Sequence, residues 1–160
     1  MQAVLISIQP GWCELIASGK KTVEVRKTRP KLETPFKCYI YMTKGKPIFE
    51  QSAFSEDISN GKVIGEFVCD KIYDITPHFD TPTFPNQYIC GWDYGKEFDC
   101  LSFEELTSYL NGKNGYAWRI TDLKIYDKPR ELSEFSKYGF GHPVPLKRPP
   151  QSWMYVEVAE

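Results

Sequence analysis

Residues 3–27, "AVLISIQPGWCELIASGKKTVEVRK", limit the possible folds more tightly than any other part of the chain. Ala3 to Ile8 is an apolar run that suits one buried strand. Pro10 follows where a helix would begin, and its missing N–H costs nothing at that first position. Trp12, Leu15 and Ile16 recur at i, i+3, i+4 and give a short helix one buried stripe. Gly19 is placed to end that helix with positive φ, and Thr22–Arg26 resumes as a strand.

The rest of the chain continues in short β-like segments with no βαβ rhythm. Phe36–Thr43 is a strand with Phe36, Cys38, Ile40 and Met42 on one face. Residues 44–60 are polar and turn-rich, a surface excursion. Gly61–Ile75 is the longest β-like stretch, with Gly65 marking a bulge or a close backbone approach. Residues 76–100 mix prolines, aromatics and acids without a period, which predicts a long ordered loop. Leu101–Gly112 is a helix: Ser102 and Glu105 form a capping box, Leu101 staples to Leu106, and Phe103, Leu106 and Leu110 supply its buried face. Tyr116–Tyr126 is a strand whose alternation slips at Thr121–Asp122, residues 127–152 are irregular, and Trp153–Val158 closes as a strand. The expectation is one α+β domain over residues 1–160, with about six strands and two or three short helices in a small curved sheet or barrel.

At 41% hydrophobic residues the chain is too apolar to be disordered. Its start has no basic n-region and only about six apolar residues in a row, too few for a signal peptide or a membrane span. A soluble protein of the cytoplasm without membrane attachment is expected. The five cysteines are scattered without a CxxC pair and are expected as reduced thiols. Cys90, Cys100 and either His78 or His142 match no recognised zinc spacing, so neither metal nor cofactor is expected.

The net charge of −1 conceals a strong asymmetry. Residues 18–48 hold nine Lys/Arg and two Asp/Glu, whereas residues 49–111 hold three against twelve. Either the basic segment meets a polyanion, or the two segments neutralise each other across one domain. Inside the basic segment, strand alternation turns Val23 and Val25 to the core and puts Glu24 and Arg26 about 6–7 Å apart on the other face. Lys21 stands at the junction of helix and strand. Arg26 offers a rigid fork for phosphate or a base edge, Glu24 an acceptor or general base, and Lys21 a cation or, if desolvated, a base. A solvated strand face with an ion pair of little energetic worth is the plain alternative.

Gly19, Lys21, Glu24 and Arg26 spell the pattern G-x-K-x-x-E-x-R, preceded by the strand, the proline-started helix and the glycine cap in that order. In this the chain resembles an ASCH domain, a member of the PUA-like superfamily. "KVIGEF" at 62–67, "GYAWRI" at 115–120 and "SWMYVEV" at 152–158 fit the remaining strands by order. The resemblance implies a small PUA-like β-barrel whose cleft is lined by Lys21, Glu24 and Arg26, with Gly19 at its turn. It also implies RNA or nucleic-acid binding, and small bacterial members hydrolyse N4-acetylcytidine or cleave RNA. The amidohydrolase-type members have a threonine where this chain has Glu24. They also use a glutamate from the loop before the second helix, where this chain offers Glu97 or Asp99.

The functional expectation is therefore an RNA-binding or modified-nucleotide-binding cleft formed by Gly19, Lys21, Glu24 and Arg26. Tyr39 or Tyr41 would stack a base, and His142 with Lys147–Arg148 would add a rim contact. Trp12 and Trp118 are expected in the core. Lys21→Ala and Arg26→Ala would lose RNA affinity with little change in melting. The alternatives are a metal-independent hydrolase of a nucleoside or RNA, with Lys21 and Glu24 as its catalytic pair, and a protein-interaction module using the acidic 76–105 region.

Overall fold

Ala3 to Ile8 are six consecutive buried residues, because the strand that holds them has neighbours on both edges and on both faces. This strand, β1 (Gln2–Ile8), pairs in parallel with β3 (Phe36–Met42) and antiparallel with β7 (Trp153–Glu157). The computed structural model describes residues 1–45, 59–78, 87–93 and 95–160. Between and after these strands lie α1 (Pro10–Ala17), β2 (Val23–Arg26), β4 (Lys62–His78), β5 (Gln87–Cys90), α2 (Phe103–Leu110) and β6 (Gly115–Arg130). Among the described residues seven strands form one mixed sheet in the order β2-β6-β4-β3-β1-β7, with β5 added to β4.

The fold is α+β as expected, but the sheet does not close into a barrel. Its end strands are β2 and β7, and no ladder joins them. β2 is only four residues long and runs into a segment containing Pro30 and Pro35, which have no N–H to donate. Side chains span the gap instead. Trp153 Nε1 donates to Thr28 Oγ1 at 2.9 Å, and the Lys31 amide donates to Tyr155 Oη at 2.8 Å.

Alternation along β1 and β3 separates two apolar clusters. Val4, Ile6, Cys38, Ile40 and Met42 pack with Cys13 and Ile16 of α1 and with the fully buried Trp118. Leu5, Tyr39 and Tyr41 face the other way, toward Phe135, Leu146 and Val156. A third cluster joins Val23 and Val25 of β2 to Leu106 and Leu110 of α2 and Ile75 of β4. The valines thus take the core side, as alternation requires.

Several local expectations hold. Pro10 opens α1, Gly19 has φ +78°, and Ser102 and Glu105 form the reciprocal capping box of α2. A Cβ on Gly65 would lie 2.4 Å from the Lys124 carbonyl, so β4 and β6 approach too closely there for any side chain. The slip in β6 falls at Asp122, whose φ is +47°, beside a register shift against β4. Other expectations change. The buried stripe of α1 is Cys13 and Ile16, with Trp12 and Leu15 only partly buried. Phe103 is 58% exposed, because α2 begins there and its inward stripe starts at Leu106. The long loop is partly sheet: β4 extends to His78, and Gln87–Cys90 pairs back onto it. Residues 46–58, 79–86 and 94, inside the expected excursion and loop, lie outside the described residues.

Candidate functional site

The turn after α1 sets the geometry of the charged residues. Gly19 donates its amide to the Ile16 carbonyl, and Lys21 donates its own to Leu15, both at 3.0 Å. The Thr22 amide then donates to the Phe98 carbonyl at 2.8 Å, and Thr22 Oγ1 accepts from the Phe98 amide at 2.8 Å. The start of β2 is thereby stapled to the segment that leads into α2. Ser7 of β1, Trp12 of α1 and Tyr109 of α2 line the same space as Lys21, Glu24 and Arg26, so this face is not a solvated strand surface.

Lys21, Glu24 and Arg26 retain only 3%, 6% and 9% of their accessible surface. Glu24 lies between the two cations, with Oε1 3.1 Å from Arg26 Nη2 and Oε2 3.5 Å from Lys21 Nζ. Arg26 Nη2 also donates to the Ser7 carbonyl at 2.7 Å, and Nη1 reaches Ser152 Oγ at 3.3 Å. Lys21 Nζ donates to the Asp99 carbonyl at 2.5 Å and stands 5.0 Å from the centre of the Trp12 ring. Two buried cations against one carboxylate leave a local positive charge. Two polar atoms of the cluster, Glu24 Oε2 and Arg26 Nε, are buried without a hydrogen-bond partner. Leaving such atoms unpaired is costly, which makes them natural contacts for a ligand or water.

The cluster forms the floor of a cleft of about 750 Å³. Its walls are Trp12 of α1, Ser7 of β1, Glu105, Ser108 and Tyr109 of α2, and Gln151 ahead of β7. Lys27 Nζ stands 4.7 Å from the centre of the Tyr109 ring and so puts another cation at the rim. Burial raises the Tyr109 phenol above its ordinary pKa, and the Arg26 charge opposes that rise. Burial also raises the Cys13 thiol, and the negative charge of Glu24 pushes it further the same way. A pocket with a positive floor, a buried acceptor that receives no hydrogen bond and aromatic walls suits a planar polar ligand that carries negative charge.

Lys21, Glu24 and Arg26 come together, while Gly19 serves the turn and does not line the cleft. Tyr41 does not line it either: two residues from Tyr39, it shares that face and packs in the cluster on the other side of β3. Glu97 and Asp99 are also turned away. Glu97 accepts from Thr22 Oγ1 at 2.7 Å and from Tyr73 Oη at 3.3 Å, and the Asp99 carboxylate accepts from the Leu101 amide. The carboxylate that does reach the wall is Glu105, visible in the sequence only as half of a capping box. Trp12, expected in the core, lines the cleft as well as the core edge. Its place on α1 beside the motif was the available signal. Lys147 and Arg148 line a separate depression, His142 is an exposed residue, and Cys100 Sγ donates to the Lys20 carbonyl at 3.4 Å. Among the described residues no helix is long and apolar enough to cross a membrane.

Comparison with known proteins bears on this geometry. The ASCH domain family matches residues 6–111, a span that runs from β1 through the motif to the end of α2. Among solved structures, a serine-to-alanine variant of an ASCH protein from Zymomonas mobilis superposes with a TM-score of 0.58 at 22% identity, covering 97% of this chain and 88% of the other. The unsubstituted Zymomonas mobilis ASCH protein gives a TM-score of 0.55 at 23% identity over 97% and 87% of the two chains. No curated protein matches the chain.

Proposed function

The chain belongs to the ASCH domain family, and from that premise we propose that it binds RNA, or a nucleotide with a modified base, in the cleft above Lys21, Glu24 and Arg26. One observation carries the proposal: a buried cationic cluster, in which the carboxylate oxygen Glu24 Oε2 is ion-paired but accepts no hydrogen bond, forms the floor of a cleft with aromatic walls. Lys21 and Arg26 hold a phosphate or a carbonyl edge, and Glu24 Oε2 accepts from an exocyclic amine. Trp12 and Tyr109 offer stacking surfaces, each worth about 1–3 kcal/mol where a base lies on it. The exposed Lys20, Lys27, Arg29 and Lys31 have no ion pair among the described residues, which leaves much of the basic segment available to a polyanion.

The test is a short single-stranded RNA titrated at low salt and followed by fluorescence anisotropy. Ser108→Glu puts a negative charge on an exposed wall position, so affinity is expected to fall about tenfold, or ~1.4 kcal/mol, with melting unchanged. Wild-type affinity in that variant, or no RNA binding by the wild type, would sink the proposal.

A second reading, hydrolysis of a nucleoside or RNA linkage, is favoured by the 3.5 Å approach of Lys21 Nζ to Glu24 Oε2, a proton donor facing an acceptor in a cleft. Incubation with N4-acetylcytidine and with a mixed RNA pool checks it. Absence of a Lys21-dependent product in both removes it.

A further inference from the structure

Outside the cleft, three cations without ion pairs among the described residues border a depression of about 590 Å³ beside β7. Lys137, Lys147 and Arg148 line it, and no acidic residue does. All three side chains are exposed, and none forms an ion pair among the described residues. The floor is apolar, with Leu146 and Met154.

The depression is built on a fixed frame. Leu146, between Pro145 and Lys147, is 2% exposed in the core cluster and donates its amide to the Phe135 carbonyl at 2.8 Å. The Lys137 amide donates to Val144 at 2.9 Å, and Lys137 bridges to Val156 of β7. Pro149 and Pro150 restrict the backbone just beyond Arg148. Little backbone freedom remains to be lost when a ligand engages these charges.

The same strap of chain borders the cleft. Pro150 lines the depression, and Gln151 lines the cleft. Ser7 Oγ donates to the Pro150 carbonyl at 2.7 Å, and Arg26 Nη1 reaches Ser152 Oγ at 3.3 Å, which pins the strap to the cleft wall. From Arg148 to Gln151 the backbone spans at most about 10 Å. A stacked single strand covers that distance with about three nucleotides at ~3.4 Å each.

We infer that this depression is a phosphate-backbone subsite. A single nucleic-acid strand with one base in the cleft crosses the strap at Pro150–Gln151 and rests its neighbouring phosphates on Lys137, Lys147 and Arg148. The physiological ligand is then an oligonucleotide rather than a free nucleoside. The inference rests on the cleft reading for the position of that base.

Titration of the intact protein with decacytidylate and with cytidine monophosphate, over a series of KCl concentrations, tests it. In the triple variant Lys137→Ala, Lys147→Ala, Arg148→Ala, decacytidylate affinity falls about tenfold or more, and the slope of log K against log salt drops by about 2, at ~0.7 per phosphate contact on a single strand. Cytidine monophosphate, which carries the exocyclic amine, binds as in the wild type, melting is unchanged, and Lys147→Arg retains full decacytidylate affinity. Unchanged decacytidylate affinity and slope in the triple variant would overturn the inference. So would polyglutamate that displaces decacytidylate as well as unlabelled decacytidylate does. Failure of the wild type to bind cytidine monophosphate, with decacytidylate still sensitive to the triple variant, would overturn the cleft reading and support the depression as a polyanion site in its own right.

Discussion

Glu24 shows what burial does to a motif residue. On an open strand its charge would matter little, but here it is the only carboxylate within ion-pair range of either Lys21 or Arg26 among the described residues. Glu24→Gln keeps the shape and leaves two cations buried without their counter-charge. Removing one member of a buried ionic set costs about 3–5 kcal/mol. A urea titration is expected to show a midpoint lowered accordingly, and an unchanged midpoint would contradict the burial of the cluster. The same reasoning revises the expectation that Arg26→Ala leaves melting unchanged, because its guanidinium also holds the Ser7 carbonyl. At this scale the sequence was informative where local backbone chemistry decides the outcome: the positive φ of Gly19, the proline start of α1, the capping box at Ser102. It put Trp12 in the core and gave Glu105 and Tyr109 no place at the site, because their role there depends on α1 and α2 facing each other across β2. That juxtaposition is made by contacts distant in sequence.

Among the elements, β4 and β6 do most to hold the sheet together, and a charged pair crosses between them near their shift of register. Arg119 grips Asp70 with two bonds, Nε to Oδ1 at 2.8 Å and Nη2 to Oδ2 at 2.5 Å. The hydrogen bonds from Arg119 hold the Asp70 carboxyl below its ordinary value, against the opposing effect of burial. A carboxyl with a lower pKa in the folded state stabilises the fold above its unfolded value, near 3.9, and that contribution is lost as pH falls through the lower folded value. The pair is about a third exposed, so about 1 kcal/mol is at stake. Asp70→Asn is therefore expected to lower stability at pH 7 and to converge with the wild type in strong acid, as read by thermal melts across pH. A constant difference at all pH values would show that the pair does not titrate in that window. Periodicity located β4 and β6, and Gly65 marked their close approach. β5 escaped notice because four residues among prolines and acids carry no period of their own, and their strand character comes from pairing with the far end of β4.

For the whole molecule, the decisive fact is a sheet that bends round without closing. Its two ends meet through Arg26 at Ser152, just ahead of β7, and through Trp153 and Tyr155 rather than through a ladder, and the Trp153 ring also rests 5.7 Å from that of Trp118. Trp153→Ala removes the indole from this seam. Amides of β2 and β7 are then expected to exchange about tenfold faster while those facing β4 change little, since local opening is governed by the contacts that open. Uniform acceleration would show that the seam does not open separately. Six of the seven described strands were readable from the pattern of apolar runs, but β5 and closure were not. Whether two edges pair depends on the length of β2 and on prolines that lie outside the pattern. Among the described residues the opposed charge of the basic and acidic segments is met only in part, as at Lys37 and Glu66, 3.1 Å apart. Arg26 belongs to the seam and to the cleft at once, and thermodynamic linkage follows from that double membership. Any ligand that binds only when the seam is shut must hold it shut, by the same factor with which a shut seam tightens the ligand. Occupancy of the cleft should therefore raise the melting point in proportion to the logarithm of ligand concentration.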